Sequence, residues 1–92
     1  MIESFRHKGL KRYFEEDDRS KLPADMVSRI SVLLSTLHAA QDLEGMNVPN
    51  FRLHPLKGNL KGFWSVTVRD NWRLIFRFEQ GNAFDVDLVD YH

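Results

Sequence analysis

Cysteine is absent from this sequence. A disulfide framework, a thiolate metal site and a cysteine nucleophile are therefore excluded. A chain of 92 residues without such staples must draw its stability from its apolar core. Seven phenylalanines and two tryptophans make that core feasible, because aromatic side chains bury large apolar areas.

Glycine and proline are scarce, at five and three residues, which excludes a low-complexity chain. Long apolar stretches are missing too. The longest uninterrupted run is three residues, as in Val32-Leu33-Leu34, whereas a membrane span needs about 20. The opening residues hold no apolar segment of the kind that signal peptides carry. We therefore expect one soluble, cytoplasmic domain over residues 1–92, without membrane association.

Net charge of either sign is also lacking, since 13 basic and 13 acidic residues balance. Their distribution along the chain is nevertheless uneven. From residue 52 to residue 77 there is one acid and there are six bases: Arg52, Lys57, Lys61, Arg69, Arg73 and Arg77. Because phosphate responds to the local field rather than to the net charge, this segment predicts a basic face.

The first half of the chain has helical periodicity. Leu10, Tyr13 and Phe14 recur at helical spacing, and the polar run 17–21 interrupts the pattern. A second helix is expected to start at Pro23 and to end before Gly45. Its apolar stripe consists of Met26, Val27, Ile30, Leu33, Leu34, Leu37 and Ala40. Core packing is the favoured role of this stripe, and a partner-binding groove is the alternative.

From residue 48 onward the apolar residues alternate with a period of two, which indicates strands. The turns Asp70-Asn71 and Gln80-Gly81-Asn82 would join three strands into an antiparallel meander. The inward sets are Trp64, Val66 and Val68; Trp72, Leu74, Phe76 and Phe78; and Phe84, Val86 and Leu88. We also expect a strand at 50–53 that ends near Pro55, and a short edge strand at 2–5.

This order of elements predicts an α+β fold, with a short N-terminal strand and two helices packed on one face of the meander. Arg73 and Arg77 would lie on the opposite face, about 13 Å apart along an extended strand. A solvated face is the simplest interpretation of this pair. The functional alternative is a track for successive phosphates, which Lys57 and Lys61 could extend, because arginine forms paired hydrogen bonds to phosphate oxygens.

Titratable groups occur at two further places. His54 precedes a proline, which favours an extended conformation at a strand end. The sequence ends in Asp90-Tyr91-His92, which would be presented together if the last strand is ordered to its end. The spacing of these groups matches no metal motif. Metal-free RNA cleavage suits them better, because it needs a base, an acid and cations around the phosphate.

Several long blocks of the sequence resemble the HigB toxins of the RelE/ParE superfamily. They are residues 4–10 (SFRHKGL), 52–58 (RLHPLKG), 62–66 (GFWSV), 71–78 (NWRLIFRF) and 87–92 (DLVDYH). The resemblance implies a compact α+β fold of the microbial-ribonuclease kind. It also implies a ribosome-dependent endoribonuclease that cuts mRNA in the ribosomal A site without a metal or other cofactor. The implied partner is a HigA-like helix-turn-helix antitoxin, through which the pair would bind operator DNA.

The resemblance also assigns roles to residues. The catalytic set that it implies is His54, Arg73, Asp90, Tyr91 and His92. Lys57 and Asn71 match further substrate-binding positions, and the charge pattern adds Lys61 and Arg77 to them. We expect Asp90 or His54 to act as the base and His92 as the acid, while Arg73 and Lys57 stabilise the charged phosphate. Tyr91 would orient or stack on an RNA base.

Two other function classes remain open at this point. A ParE-like toxin acts on DNA gyrase by protein contact and needs no nuclease residues, and the combination of His54 with the C-terminal Asp90-Tyr91-His92 argues against it. A plain RNA-binding or adaptor domain is the other alternative. In that case the histidines would be incidental.

Overall fold

The computed structural model describes residues 1–91. Two helices cover one face of a four-stranded antiparallel sheet, as the sequence predicts, and the strand order is β1-β2-β3-β4. The elements are α1 (Lys8–Glu16), α2 (Val27–Ala39), β1 (His54–Pro55), β2 (Phe63–Arg69), β3 (Trp72–Glu79) and β4 (Asn82–Asp90). No helix in this part of the chain is long and apolar enough to cross a membrane.

Two histidines tie the helices to the N-terminal segment. The Nδ1 atom of His7 accepts a hydrogen bond from the backbone N–H of Leu10 at 3.1 Å and thereby caps α1. In the last turn of α2, Nδ1 of His38 accepts one from the backbone N–H of Ile2, also at 3.1 Å. Both side chains therefore serve the fold.

The core between the helices and the sheet contains the predicted stripe of α2. All seven of its members are buried: Met26, Val27, Ile30, Leu33, Leu34, Leu37 and Ala40. They meet Val66 and Val68 of β2 and Leu74 and Phe76 of β3. Core packing is thus confirmed as the role of the stripe, although α2 itself begins after a 3-10 turn at Ala24–Met26 rather than at Pro23.

The prediction of a strand at 50–53 was wrong, because the strand forms further along the chain. Pro49–Phe51 form a 3-10 turn, and Arg52 adopts a left-handed conformation with φ 56° that breaks the extended chain. The strand that does form is His54–Pro55. At the N-terminus, residues 2–5 do pair at the edge of β4, but through two isolated parallel bridges rather than as a continuous strand.

The last strand departs from simple alternation at a β-bulge. Ile75 pairs with Asp87 and Arg77 with Phe84, so two residues of β4 face one residue of β3. The bulged Asp85 has φ 55°. Because the bulge shifts the alternation by one position, fully buried Ala83 takes the inward place that the sequence predicted for Phe84.

The sheet face away from the helices is also partly apolar. Leu56, Phe63 and Ile75 form a small buried cluster there, with Leu60 and Val89 packed against it. Beyond this cluster, toward the turn between β2 and β3, the same face is polar.

Candidate functional site

A cleft of about 340 Å³ opens on the polar part of this second face. Its volume lies within the range of small-molecule sites, ~300–1,000 Å³. Its lining residues are Arg52, Leu53, His54, Ser65, Thr67, Arg73 and Tyr91. The cleft thus brings together three of the predicted site residues, His54, Arg73 and Tyr91, from three separate parts of the chain.

The cleft exists because β1 is much shorter than β2. Pairing between them ends at His54 and Ser65, while β2 continues to Arg69. The outward positions Ser65 and Thr67 therefore form the floor of the cleft. The proline after His54 fits this arrangement, because it holds His54 extended at the end of the paired region.

Arg73 of β3 lies directly opposite Thr67 on the neighbouring strand β2 and is half-buried. Its Nη1 atom donates hydrogen bonds to the backbone carbonyls of Asp70, at 2.6 Å, and Trp72, at 3.2 Å. These bonds hold the side chain beside the β2–β3 turn. A guanidinium has three further N–H donors on Nε and Nη2, which are the groups suited to bind a phosphate at this position.

Tyr91 reaches the cleft because the chain after β4 is tied to the β2–β3 turn. Its backbone N–H donates to the carbonyl of Asn71 at 2.7 Å. The Tyr91 residue remains 51% exposed, so the ring is available for stacking. Asn71 is itself exposed in the turn, outside the cleft lining.

The other two C-terminal residues of the predicted set have different positions. Asp90 pairs with Trp72, and opposite residues on antiparallel strands share a face. The register therefore places Asp90 on the side of Trp72, away from Arg73, and it does not line the cleft. His92 lies outside the described residues.

The remaining predicted substrate-binding residues lie around the cleft rather than in it. Lys57 and Lys61 are exposed in the connection between β1 and β2. Arg77 does share a face with Arg73, but it forms ion pairs with Glu79 at 2.6 Å and with Asp85 at 3.0 Å. Two carboxylates thus balance its charge, which weakens the idea of a paired-arginine track.

Sequence reasoning missed four residues that line the cleft, which are the apolar Leu53 and the polar Arg52, Ser65 and Thr67. Arg52 was counted as part of the basic segment but was not assigned to the site, and its position follows from the left-handed backbone before β1. Ser65 and Thr67 alternate with buried valines, which predicts that they face outward. Only the strand register shows that His54 and Arg73 flank them.

The side chains of the cleft are suited to transfer a proton next to a bound anion such as phosphate. The cleft offers one imidazole, two guanidinium groups, two hydroxyls and one phenol ring. Imidazole can accept or donate a proton near neutral pH, and arginine stabilises negative charge on phosphate oxygens. Among residues 1–91, no group of three or more His, Asp or Glu side chains is arranged to hold a metal ion.

The sequence of this chain matches a family of toxins. The profile of the HigB-like toxin family, described as a RelE-like toxin of the type II toxin-antitoxin system HigB, matches residues 3–92. "Endoribonuclease HigB" of Proteus vulgaris is 46% identical over 92 residues, which is all of both chains. "Toxin HigB-1" of Vibrio cholerae is 34% identical over 90 residues, covering 96% of this chain and 95% of that one. These matches do not favour the ParE-like alternative.

Solved structures support the fold. The YoeB-YefM toxin-antitoxin complex of Staphylococcus aureus, described as a heterotetramer, contains a chain that matches with a TM-score of 0.62 and 21% identity. That match covers 100% of this chain and 95% of the other. The crystal structure of YafQ from E. coli matches with a TM-score of 0.58 and 17% identity, covering 98% of this chain and 91% of that one.

Proposed function

Because this chain belongs to the HigB-like family of RelE-like toxins from type II toxin-antitoxin systems, we propose that it is an endoribonuclease that cleaves translated mRNA in the ribosomal A site. The observation that carries this proposal is the convergence of His54, Arg73 and Tyr91 on one cleft. The printed name of the Proteus vulgaris relative, an endoribonuclease, supports it.

The proposed reaction is attack of a ribose 2′-hydroxyl on the adjacent phosphorus without a metal ion. A base removes the 2′-hydroxyl proton, a new P–O2′ bond forms, and the P–O5′ bond breaks while an acid protonates the leaving O5′. The products are a 2′,3′-cyclic phosphate and a 5′-hydroxyl. His54 is favoured over Asp90 as the base because His54 lines the cleft, whereas the register places Asp90 on the other side of the sheet. We assign the acid role to His92.

Arg73 is proposed to stabilise the pentavalent phosphate, with Arg52 on the opposite wall of the cleft as a second cation. Tyr91 would stack on the base next to the scissile bond, since half of its surface is open. Lys57, Lys61 and Asn71 would contact the RNA beyond the cleft. The expected contribution of Arg77 is smaller, because Glu79 and Asp85 balance its charge.

The balanced charge supports the proposed dependence on the ribosome. A chain with a formal net charge of +0 and few cations around the cleft should bind free RNA weakly, because RNA affinity rises with the number of phosphates neutralised. The ribosome would supply the missing affinity by holding the message in place. We further propose a cytoplasmic location, where translating ribosomes are present.

The partner that we propose is a HigA-like helix-turn-helix antitoxin. The toxin-antitoxin family supports such a partner, and the Staphylococcus aureus YoeB chain is seen in complex with its antitoxin YefM. The chain itself would reach operator DNA only through that partner.

Mapping of 5′ ends in cellular mRNA after brief induction tests this function. The wild-type chain is compared with Arg73→Met and His92→Gln, and with Arg19→Met as the matched control at an exposed arginine outside the cleft. We expect new ends inside translated frames for wild type and Arg19→Met, and loss of those ends in the other two variants. The ends should also vanish when translation initiation is blocked. Growth arrest with DNA-damage signalling and without new ends would overturn the proposal in favour of a gyrase target.

A further inference from the structure

Arg29 joins α2 to two segments that lead into the cleft. Its Nη2 atom donates to the backbone carbonyl of Asn50 at 2.7 Å and to that of Thr67 at 3.0 Å, and Nε donates to Thr67 at 3.3 Å. The guanidinium carbon lies 5.1 Å from the ring centroid of Phe51, within cation–π range. Arg29 is half-buried, and it is the only Arg, Lys, Asp or Glu in the sequence of α2.

The two carbonyls belong to segments that strand pairing leaves apart. The β1–β2 register ends at Ser65, so the Thr67 carbonyl, two residues further, lies beyond the paired part of that edge. Asn50 belongs to the 3-10 turn that leads directly into Arg52, and from there to His54. The side-chain hydrogen bonds of Arg29 therefore join β2 to this segment at a place where no β1–β2 backbone pairing does so.

We propose that Arg29 is a positioning residue that sets the width of the cleft. By holding Thr67 and Asn50 to one guanidinium, it fixes the wall of His54 relative to the wall of Arg73, which faces Thr67 across the sheet. A planar fork with several donors is needed for this, so a lysine of equal charge cannot replace it. Arg29 does not line the cleft, and its effect on RNA cleavage passes through the residues that do. This inference rests on the proposed function.

The test uses the full chain with ribosomes programmed with a defined mRNA. Wild type, Arg29→Lys, Arg29→Ala and the control Arg19→Ala are compared for the cleavage rate at saturation and for the half-saturating concentration. We expect the rate to fall by about 10–100-fold in both Arg29 variants, because a shift of about 1 Å in an active site can cost two orders of magnitude. The half-saturating concentration should stay nearly unchanged, since the residues proposed to contact RNA are intact.

Chemical rescue separates positioning from folding. Free guanidinium ion, well below denaturing concentrations, should restore cleavage by Arg29→Ala but not by Arg29→Lys, where the lysine side chain occupies the site. Methylammonium should restore neither. A rate loss that simply follows the unfolded fraction, measured by circular dichroism on the same samples, and that guanidinium does not relieve would overturn the proposal.

A second measurement keeps the inference distinct from the proposed function. In ¹H–¹⁵N spectra of the free protein, Arg29→Lys should shift the amide signals of Arg52, His54 and Thr67 and leave those of α1 in place. Unshifted signals, or wild-type cleavage rates in both Arg29 variants, would overturn the positioning role. Failure of the wild-type chain itself to cut ribosome-bound mRNA would instead refute the nuclease function, whatever the spectra show.

Discussion

The two faces of the sheet are built differently. The face under the helices is closed: Leu74 and Phe76 of β3 and Val66 of β2 have no exposed surface. The other face is closed only around Ile75, and beyond it opens into the cleft between His54 and Arg73. One face therefore supplies most of the buried apolar area, and the other offers the hydrogen-bonding and titratable groups.

Because the two faces differ, single substitutions on one face should have different effects from those on the other. Burial of apolar area is the main source of stability, so changes on the closed face should act on folding. Changes at half-exposed polar positions on the open face should act on RNA cleavage and leave stability nearly intact. Substitutions chosen from the two faces can therefore test whether folding and function are separable in this small domain.

The largest effect is expected at the centre of the closed face. Phe76→Ala should lower the free energy of unfolding by about 3–5 kcal/mol, because it leaves a cavity among fully buried side chains. Urea denaturation measures this loss. Phe84→Ala is the control, since Phe84 is only half-buried on the open face, and a loss there as large as that of Phe76→Ala would contradict the contrast.

The next effect concerns cleavage rather than stability. Arg73→Met should slow cleavage of ribosome-bound mRNA by about 10²–10³-fold, the usual cost of removing one group that stabilises an anionic transition state. Its free energy of unfolding should change by no more than about 1 kcal/mol, for the lost hydrogen bonds to Asp70 and Trp72. Equal losses of folded protein and activity would show that Arg73 serves the fold alone.

A smaller effect is expected in the small apolar cluster around Ile75, which is the buried part of the sheet face away from the helices. Ile75→Val should destabilise the protein by about 0.5–1.5 kcal/mol, because Ile75 is 1% exposed and packs against Leu56 and Phe63. Thermal unfolding gives the shift, and Val32→Ala at an exposed position of α2 serves as the reference. If Ile75→Val unfolds like wild type, the small cluster adds nothing to stability.

The smallest effect is expected at Asp18, which belongs to neither face of the sheet. Hydrogen bonds from Ser20, together with the Arg12 guanidinium at 3.1 Å, hold the pKa of the Asp18 carboxyl below its ordinary value of 3.8. A lowered folded-state pKa stabilises the protein above the unfolded-state pKa, and this contribution is lost as pH falls through the folded one. Asp18→Asn should thus be slightly less stable than wild type at neutral pH, with the difference vanishing in acid. A difference that grows on acidification would contradict this sign.

Much of the fold could be predicted because its signals are local. The stripe of α2 and the alternation in β2 and β3 are set by residues near in sequence. All three elements form, although α2 begins at Val27 rather than at Pro23. The bulge at Asp85 could not be foreseen. A left-handed backbone is uncommon for residues other than glycine, and the Asp85 N–H donates a hydrogen bond to the Ser4 hydroxyl, 81 residues away.

The site could be predicted only in part. The residue pattern singled out His54, Arg73 and Tyr91, the family resemblance grouped them into one catalytic set, and the structure brings them to one cleft. Arg52 and Thr67 could not be assigned, because their positions depend on where β1 stops pairing with β2. Arg29 was missed for the same reason, since its two carbonyl partners lie 21 and 38 residues further along the chain.

We propose that the cleft on the open face cleaves RNA by attack of the 2′-hydroxyl. Chemical analysis of the ends left on a ribosome-bound message tests it most directly, with wild type, Arg73→Met and Phe84→Ala in parallel. We expect a 2′,3′-cyclic phosphate and a 5′-hydroxyl from wild type and Phe84→Ala, and almost no cut from folded Arg73→Met. A 5′-phosphate on the product, or full cleavage by Arg73→Met, would refute this mechanism.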